Sequence, residues 1–180
     1  ASQAALIEAA WIDKPRSAPE SALRMMITRL RRGLGHTTAD PAIAHGEDGY
    51  RLTSHVAIGR LVFEDYVGQA DQLAPDKQST ILQSAVELWR GPPFDGFDDD
   101  VFLNVARPLE ATYLDALAAL QQRLILEGQA ETGLARIDAH RETDPFDERF
   151  ALLAMHSYYA IGDQVRALSV YDQLRRDLRD

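Results

Sequence analysis

Apolar and polar positions alternate at helical spacing along most of this chain. Leu23, Ile27, Leu30 and Leu34 recur at intervals of four, three and four, so they form the buried stripe of an amphipathic helix. Ala22, Met25, Arg29 and Arg32 recur at three, four and three on the opposite side. Ser17 or Ser21 is placed to cap the start, Pro19 suits the first turn, and Gly33 and Gly35 offer a left-handed stop. Ahead of it, Ser2 to Trp11 reads as a shorter helix capped by Ser2, with Leu6 and Ala10 inward and Ile7 and Trp11 flanking them. The linker between them, Ile12 to Pro19, carries two prolines that hold it extended.

After Gly35 the period changes. Ala42 to His45 and Tyr50 to Thr53 are short runs on either side of Gly46-Glu47-Asp48-Gly49, the pattern of a β-hairpin. Helix, stiff turn, helix and hairpin is the order of a winged helix-turn-helix, with the hairpin as wing. Arg51, beside Tyr50, then lies where a wing arginine reaches a minor groove or where a strand end simply carries an exposed charge.

From Val56 onward only helix signals remain. Ile58, Leu61, Val62 and Tyr66 mark one helix. Pro75 starts another with Ile81, Leu82, Ala85, Val86, Leu88 and Trp89, and the Gly/Pro-rich stretch from Arg90 to Asp100 ends it. A long helix follows from Val101 to Leu126, and Pro108 is expected to kink it or begin a new segment. Gly128 to Ile137 aligns with Gly162 to Tyr171 at an offset of 34 residues, the period of the tetratricopeptide repeat. Trp11, Trp89, Tyr158, Tyr159 and Tyr171 are read as packing residues.

Charge divides the chain further. The formal net charge is −9, yet Ser21 to Ala39 holds four arginines and no Asp or Glu. Residues 1–55 carry seven basic against six acidic side chains, and the rest carry 12 against 22. A basic helix in a near-neutral head, joined to an acidic body, points to a polyanionic partner for the head alone. Arg24, Arg29, Arg31 and Arg32 are a solvated face or a nucleic-acid contact. In the second case central Arg29 suits a base edge, Arg31 and Arg32 suit phosphates, and Met25 suits a thymine methyl or plain packing. A chain of 180 residues, 46% hydrophobic, fills one or two cores. Without cysteine it has no disulfide and no thiol chemistry. The start lacks a signal-peptide pattern and no run is long enough to span a bilayer, so a cytoplasmic location is expected.

Catalytic patterns are absent: there is no G-x-x-x-x-G-K and no G-x-S-x-G. Asp95, Asp98, Asp99 and Asp100 lack the alternating ligands and distal Glu of a calcium loop, and the five histidines have no ligand spacing. The sequence therefore predicts no enzyme, no metal and no cofactor.

With those residues set out, the chain resembles the Streptomyces antibiotic regulatory protein family of transcriptional activators. The resemblance rests on Ala10-Trp11 before a Pro-containing turn, Ser21-Ala22-Leu23 leading to Thr28-Arg29-Leu30-Arg31-Arg32-Gly33-Leu34-Gly35, Gly49-Tyr50-Arg51-Leu52, Ala85-Val86-Glu87-Leu88-Trp89-Arg90-Gly91-Pro92, Asp144-Pro145-Phe146-Asp147-Glu148-Arg149 and Ala167-Leu168-Ser169-Val170-Tyr171. It implies a mainly α fold: a partial winged helix-turn-helix over residues 1–55, lacking the N-terminal sheet and first helix, then an all-α, tetratricopeptide-like bacterial transcriptional activator domain over 56–180. It further implies Ser21 to Leu34 as recognition helix, with Ala22, Met25, Thr28, Arg29 and Arg32 toward DNA, joined by Arg31 and by Arg51 on the wing. Asp13, Lys14 and Arg16, in the turn that runs to Pro19, match the loop that touches RNA polymerase. The expected function is activation of a secondary-metabolite gene cluster, by binding promoter direct repeats, self-associating on DNA and recruiting polymerase. The rival expectation is a protein-interaction module of a larger regulator that does not bind DNA by itself.

Overall fold

A computed structural model describes residues 1–11, 17–34, 42–53, 59–96 and 100–179. These fall into two compact units, residues 1–58 and 59–180.

In the first unit, α1 (Gln3–Ala10) and α2 (Pro19–Gly33) precede a hairpin of β1 (Ile43–Gly46) and β2 (Gly49–Leu52). Ser2 caps α1, its hydroxyl accepting from the Ala5 N–H at 3.2 Å. The start of α2 relies on Pro19, whose missing N–H would have been unpaired there in any case. Neither Ser17 nor Ser21 caps it: Ala18 holds the cap position without a side-chain bond. Its end also departs from expectation. Gly33 stays helical and Leu34 keeps a right-handed φ of −79°, its N–H reaching Leu30 O at 2.9 Å. Gly35 lies outside the described residues.

The antiparallel register pairs Ile43 with Leu52, Ala44 with Arg51, His45 with Tyr50 and Gly46 with Gly49. The turn is therefore Glu47-Asp48 alone, because both flanking glycines belong to the strands. Leu23, Ile27, Ala42, Ile43 and Tyr50 form the core, with Leu6, Ile7 and Trp11 against it. This core covers only the first half of the α2 stripe. Leu30 and Leu34 remain 48% and 47% exposed, and Ala10 is also exposed.

The second unit contains α3 (Gly59–Ala70), α4 (Pro75–Glu87), α5 (Asp100–Leu126), α6 (Glu131–Thr143), α7 (Glu148–Ala160) and α8 (Gln164–Asp177). Successive helices pack on one another, and α5 also touches α7. Pro108 does not break α5, whose 27 residues run through it. Asn104, four residues back, and Pro108 are both exposed, so the carbonyl that loses its donor is on the wet side of the helix. In α3, Phe63 and Ala70 are the buried residues, whereas Leu61 is exposed and Ile58 lies outside the described residues.

The 34-residue repeat is physical. Gly128 and Gly162 adopt φ of 74° and 87°, and each closes its helix by the same pair of bonds. Gly128 N–H reaches Ile125 O and Gln129 N–H reaches Leu124 O; Gly162 N–H reaches Tyr159 O and Asp163 N–H reaches Tyr158 O. This double closure needs a left-handed residue, which glycine supplies without strain. The next helices then start differently. Asp163 caps α8 and Asp147 caps α7 through their carboxylates, while Ala130 offers α6 no side-chain bond.

Phe150, Leu117, Leu120, Ile137 and Val86 are among the fully buried side chains of this core. Trp89 stacks on Tyr113 at 4.3 Å and Tyr158 is buried. Tyr159 and Tyr171 are not the packing residues expected, since they are 69% and 47% exposed. Among the described residues, no helix is long and apolar enough to cross a membrane.

Candidate nucleic-acid interface

α2 presents three different edges. Leu23 and Ile27 face the core. Met25, Arg29 and Arg32 are exposed on the opposite side, with Ala22 half-buried at its margin. Arg29 and Arg32 make no hydrogen bond or ion pair among the described residues. Arg51 on β2 is likewise exposed and unpaired among them. Placing Arg31 and Arg32 in the last turn suits the helix dipole as well as an anion outside.

The third edge faces the hairpin. Arg31 is half-buried there, its Nε donating to Ile43 O at 2.8 Å. Arg24 lies about two turns earlier, loosely paired with Glu20 at 3.9 Å, and the Thr28 hydroxyl donates to Arg24 O at 2.8 Å. Ala22, Met25, Arg29 and Arg32 thus share the outer face, whereas Thr28 and Arg31 are turned toward the wing. At about 100° per residue Arg31 comes next to Ile27 around the helix, which was the sequence signal for its part-buried position. Asp13, Lys14 and Arg16 lie outside the described residues.

Between this edge and the hairpin is a cleft of about 410 Å³ lined by Arg24, Arg31, His45, Gln3 and Glu20 among others. His45 meets Tyr50 edge-on at 4.9 Å, which orients the imidazole. Sequence reasoning did not single out Gln3, Glu20 or His45, because residues from three elements share no linear spacing.

The helical unit has its own polar cleft, about 550 Å³, between α6, α7 and α8. Tyr158 donates to Asp138 Oδ2 at 2.6 Å, Arg141 bonds Asp138 Oδ1 at 3.0 Å, and Arg166 sits over the Tyr158 ring. Burial, followed by the Asp138 hydrogen bond, raises the Tyr158 phenol above its ordinary pKa. His140, Asp144 and Asp147 also converge, with ligand atoms within 4.8 Å of one another, although their spacing gave no such sign. Asp147 is already occupied, capping α7 with Oδ1 and meeting His140 Nε2 at 3.2 Å with Oδ2.

Residues 61–180 match the family model of the bacterial transcriptional activator domain. The chain belongs to the Streptomyces antibiotic regulatory protein family, with that domain. This family member is similar to the transcriptional regulatory protein EmbR of Mycobacterium tuberculosis, 29% identical over 184 residues covering 98% of this chain and 47% of EmbR. It is also similar to the regulatory protein AfsR of Streptomyces coelicolor, 28% identical over 190 residues covering 97% of this chain and 18% of AfsR. A solved structure of M. tuberculosis EmbR in complex with a low-affinity phosphopeptide superposes with a TM-score of 0.73 at 26% identity, covering 99% of this chain and 49% of that one. This antibiotic regulatory protein chain spans about half the length of EmbR and under a fifth of AfsR. Its relatives are transcriptional regulators.

Proposed function

We propose that this chain is a sequence-specific DNA-binding activator that recruits RNA polymerase to a secondary-metabolite gene cluster. The observation that carries the proposal is the outer face of α2, where Arg29 and Arg32 stand exposed and unpaired among the described residues, away from the core formed by Leu23 and Ile27. α2 enters the major groove of promoter direct repeats in this reading, Arg29 reads a base edge, Arg32 holds a phosphate, and Arg51 follows the adjacent minor groove. Arg31 acts first as the strut between helix and wing. Met25 meets a thymine methyl beside Arg29, with Ala22 allowing close approach. Polymerase is met through Asp13, Lys14 and Arg16 and through the helical unit, and neighbouring copies associate on repeated sites. No chemistry by the protein is required, because recruitment changes only local concentration.

The polar cleft between α6, α7 and α8 favours a second reading, in which the helical unit is a protein-docking module and DNA binding is left to other parts of a larger regulator. Selection from a randomised duplex pool separates the two. The activator reading expects one enriched motif, with Arg29→Ala relaxing preference at one or two positions by about 1–3 kcal/mol. A pool with no enrichment leaves the docking module.

A further inference from the structure

We infer that the cleft between α2 and the hairpin is the seat of one DNA backbone phosphate, with Arg24 and Arg31 as its guanidinium ligands and Glu20 as the counter-charge the phosphate displaces. The inference rests on the activator reading and adds to it a site that straddles two elements. A protein that places a helix in the major groove and a hairpin in the next minor groove must straddle the sugar-phosphate strand between the two grooves. In this fold the space between those elements is the cleft of about 410 Å³.

Its lining suits an anion. Two guanidinium groups, Arg24 and Arg31, face one carboxylate, Glu20, with the His45 ring beside them. Arg31 is already held by its bond to Ile43 O at 2.8 Å, so its guanidinium is ordered before any ligand arrives and little rotamer entropy remains to be lost. His45 is oriented by Tyr50 at 4.9 Å, and Gln3 adds a side-chain amide donor. Arg24 is the movable ligand. Its Nε donates to Glu20 O at a long 3.4 Å and its ion pair with the Glu20 carboxylate spans 3.9 Å, with side chains 65% and 69% exposed, a pairing that water weakens enough for a phosphate to replace the carboxylate. The Thr28 hydroxyl is spent on Arg24 O and shapes the wall without donating to the ligand.

Glu20 then tunes affinity. It neutralises Arg24 in the free protein and repels the incoming strand, so removing its charge tightens binding to any duplex regardless of sequence. The test is a fluorescence-anisotropy titration of a short duplex across a salt series, using the full chain, Arg24→Ala, Glu20→Gln and, outside the cleft, Arg32→Ala. Arg24→Ala should lower the slope of log K against log salt by about 0.9, the release of one phosphate's counterions. Glu20→Gln should tighten binding roughly threefold or more at low salt, with no change in base preference. Scanning single uncharged methylphosphonates along the duplex should find one position that weakens the full chain but not Arg24→Ala. Inorganic phosphate at fixed ionic strength should not displace the duplex, which separates a backbone seat from a free-anion site. If the full chain binds while Arg24→Ala keeps its slope and Glu20→Gln gains nothing, the phosphate seat is overturned and the activator reading stands. If the full chain binds no duplex at low salt, both fall.

Discussion

Gly133 shows how tightly single residues constrain the helical unit. A Cβ there would overlap Gln121 Oε1 and crowd Leu124 Cδ1 at 3.2 Å. Gln121 cannot move aside freely, since its Nε2 donates to both Ala130 O and Ser157 Oγ at 2.7 Å and the residue is fully buried. Gly133→Ala should therefore cost about 1–3 kcal/mol, seen as a lower urea midpoint at unchanged m-value. Tyr158 makes a separate test through pH. The fold raises its pKa above the ordinary 10.0, so the neutral phenol is favoured by folding. That contribution is complete below about pH 10 and is lost as the pH rises through the folded value. Tyr158→Phe should cost about 1 kcal/mol at neutral pH and flatten the alkaline loss of stability in a pH series of urea melts. An unchanged alkaline limb would assign that loss to other groups.

Among elements, α2 and the hairpin share one small core, and Arg31 is a polar link between them. Arg31→Ala should leave α2 helical yet speed amide exchange across Ile43 to Leu52 roughly fivefold, the equivalent of about 1 kcal/mol. Arg32→Ala should leave those amides unchanged. The periodicity of α2 was legible in sequence, as were the hairpin, the start of α4 at Pro75 and the glycine closures at Gly128 and Gly162, because each depends on local spacing or one residue's φ. How much of the α2 stripe is buried was not legible. Leu23 and Ile27 differ from Leu30 and Leu34 only in what the hairpin and α1 cover, and that is a tertiary fact. The cleft residues Gln3, Glu20 and His45 were hidden for the same reason, being far apart in sequence. Pro108 misled because its cost in a helix depends on whether the freed carbonyl meets water.

For the molecule as a whole, charge is divided unevenly along the chain. Residues 1–55 are near neutral with a basic helix, while the remaining 125 carry ten more acidic than basic side chains (22 − 12). On the proposed function, a polyanion is attracted to the basic helix of the head and repelled by the acidic body. The match over residues 61–180 gives this chain the bacterial transcriptional activator domain, and the proposed function assigns DNA contact to the outer face of α2. The most direct test is the salt dependence of binding to an enriched duplex by the full chain and by Arg29→Ala/Arg32→Ala. The expected result is a steep line for the full chain and, for the double variant, a slope reduced by about 0.9 for the one lost phosphate contact together with lost base preference. Equal affinity, slope and preference in the two proteins would contradict the assignment of α2 as the DNA-reading helix.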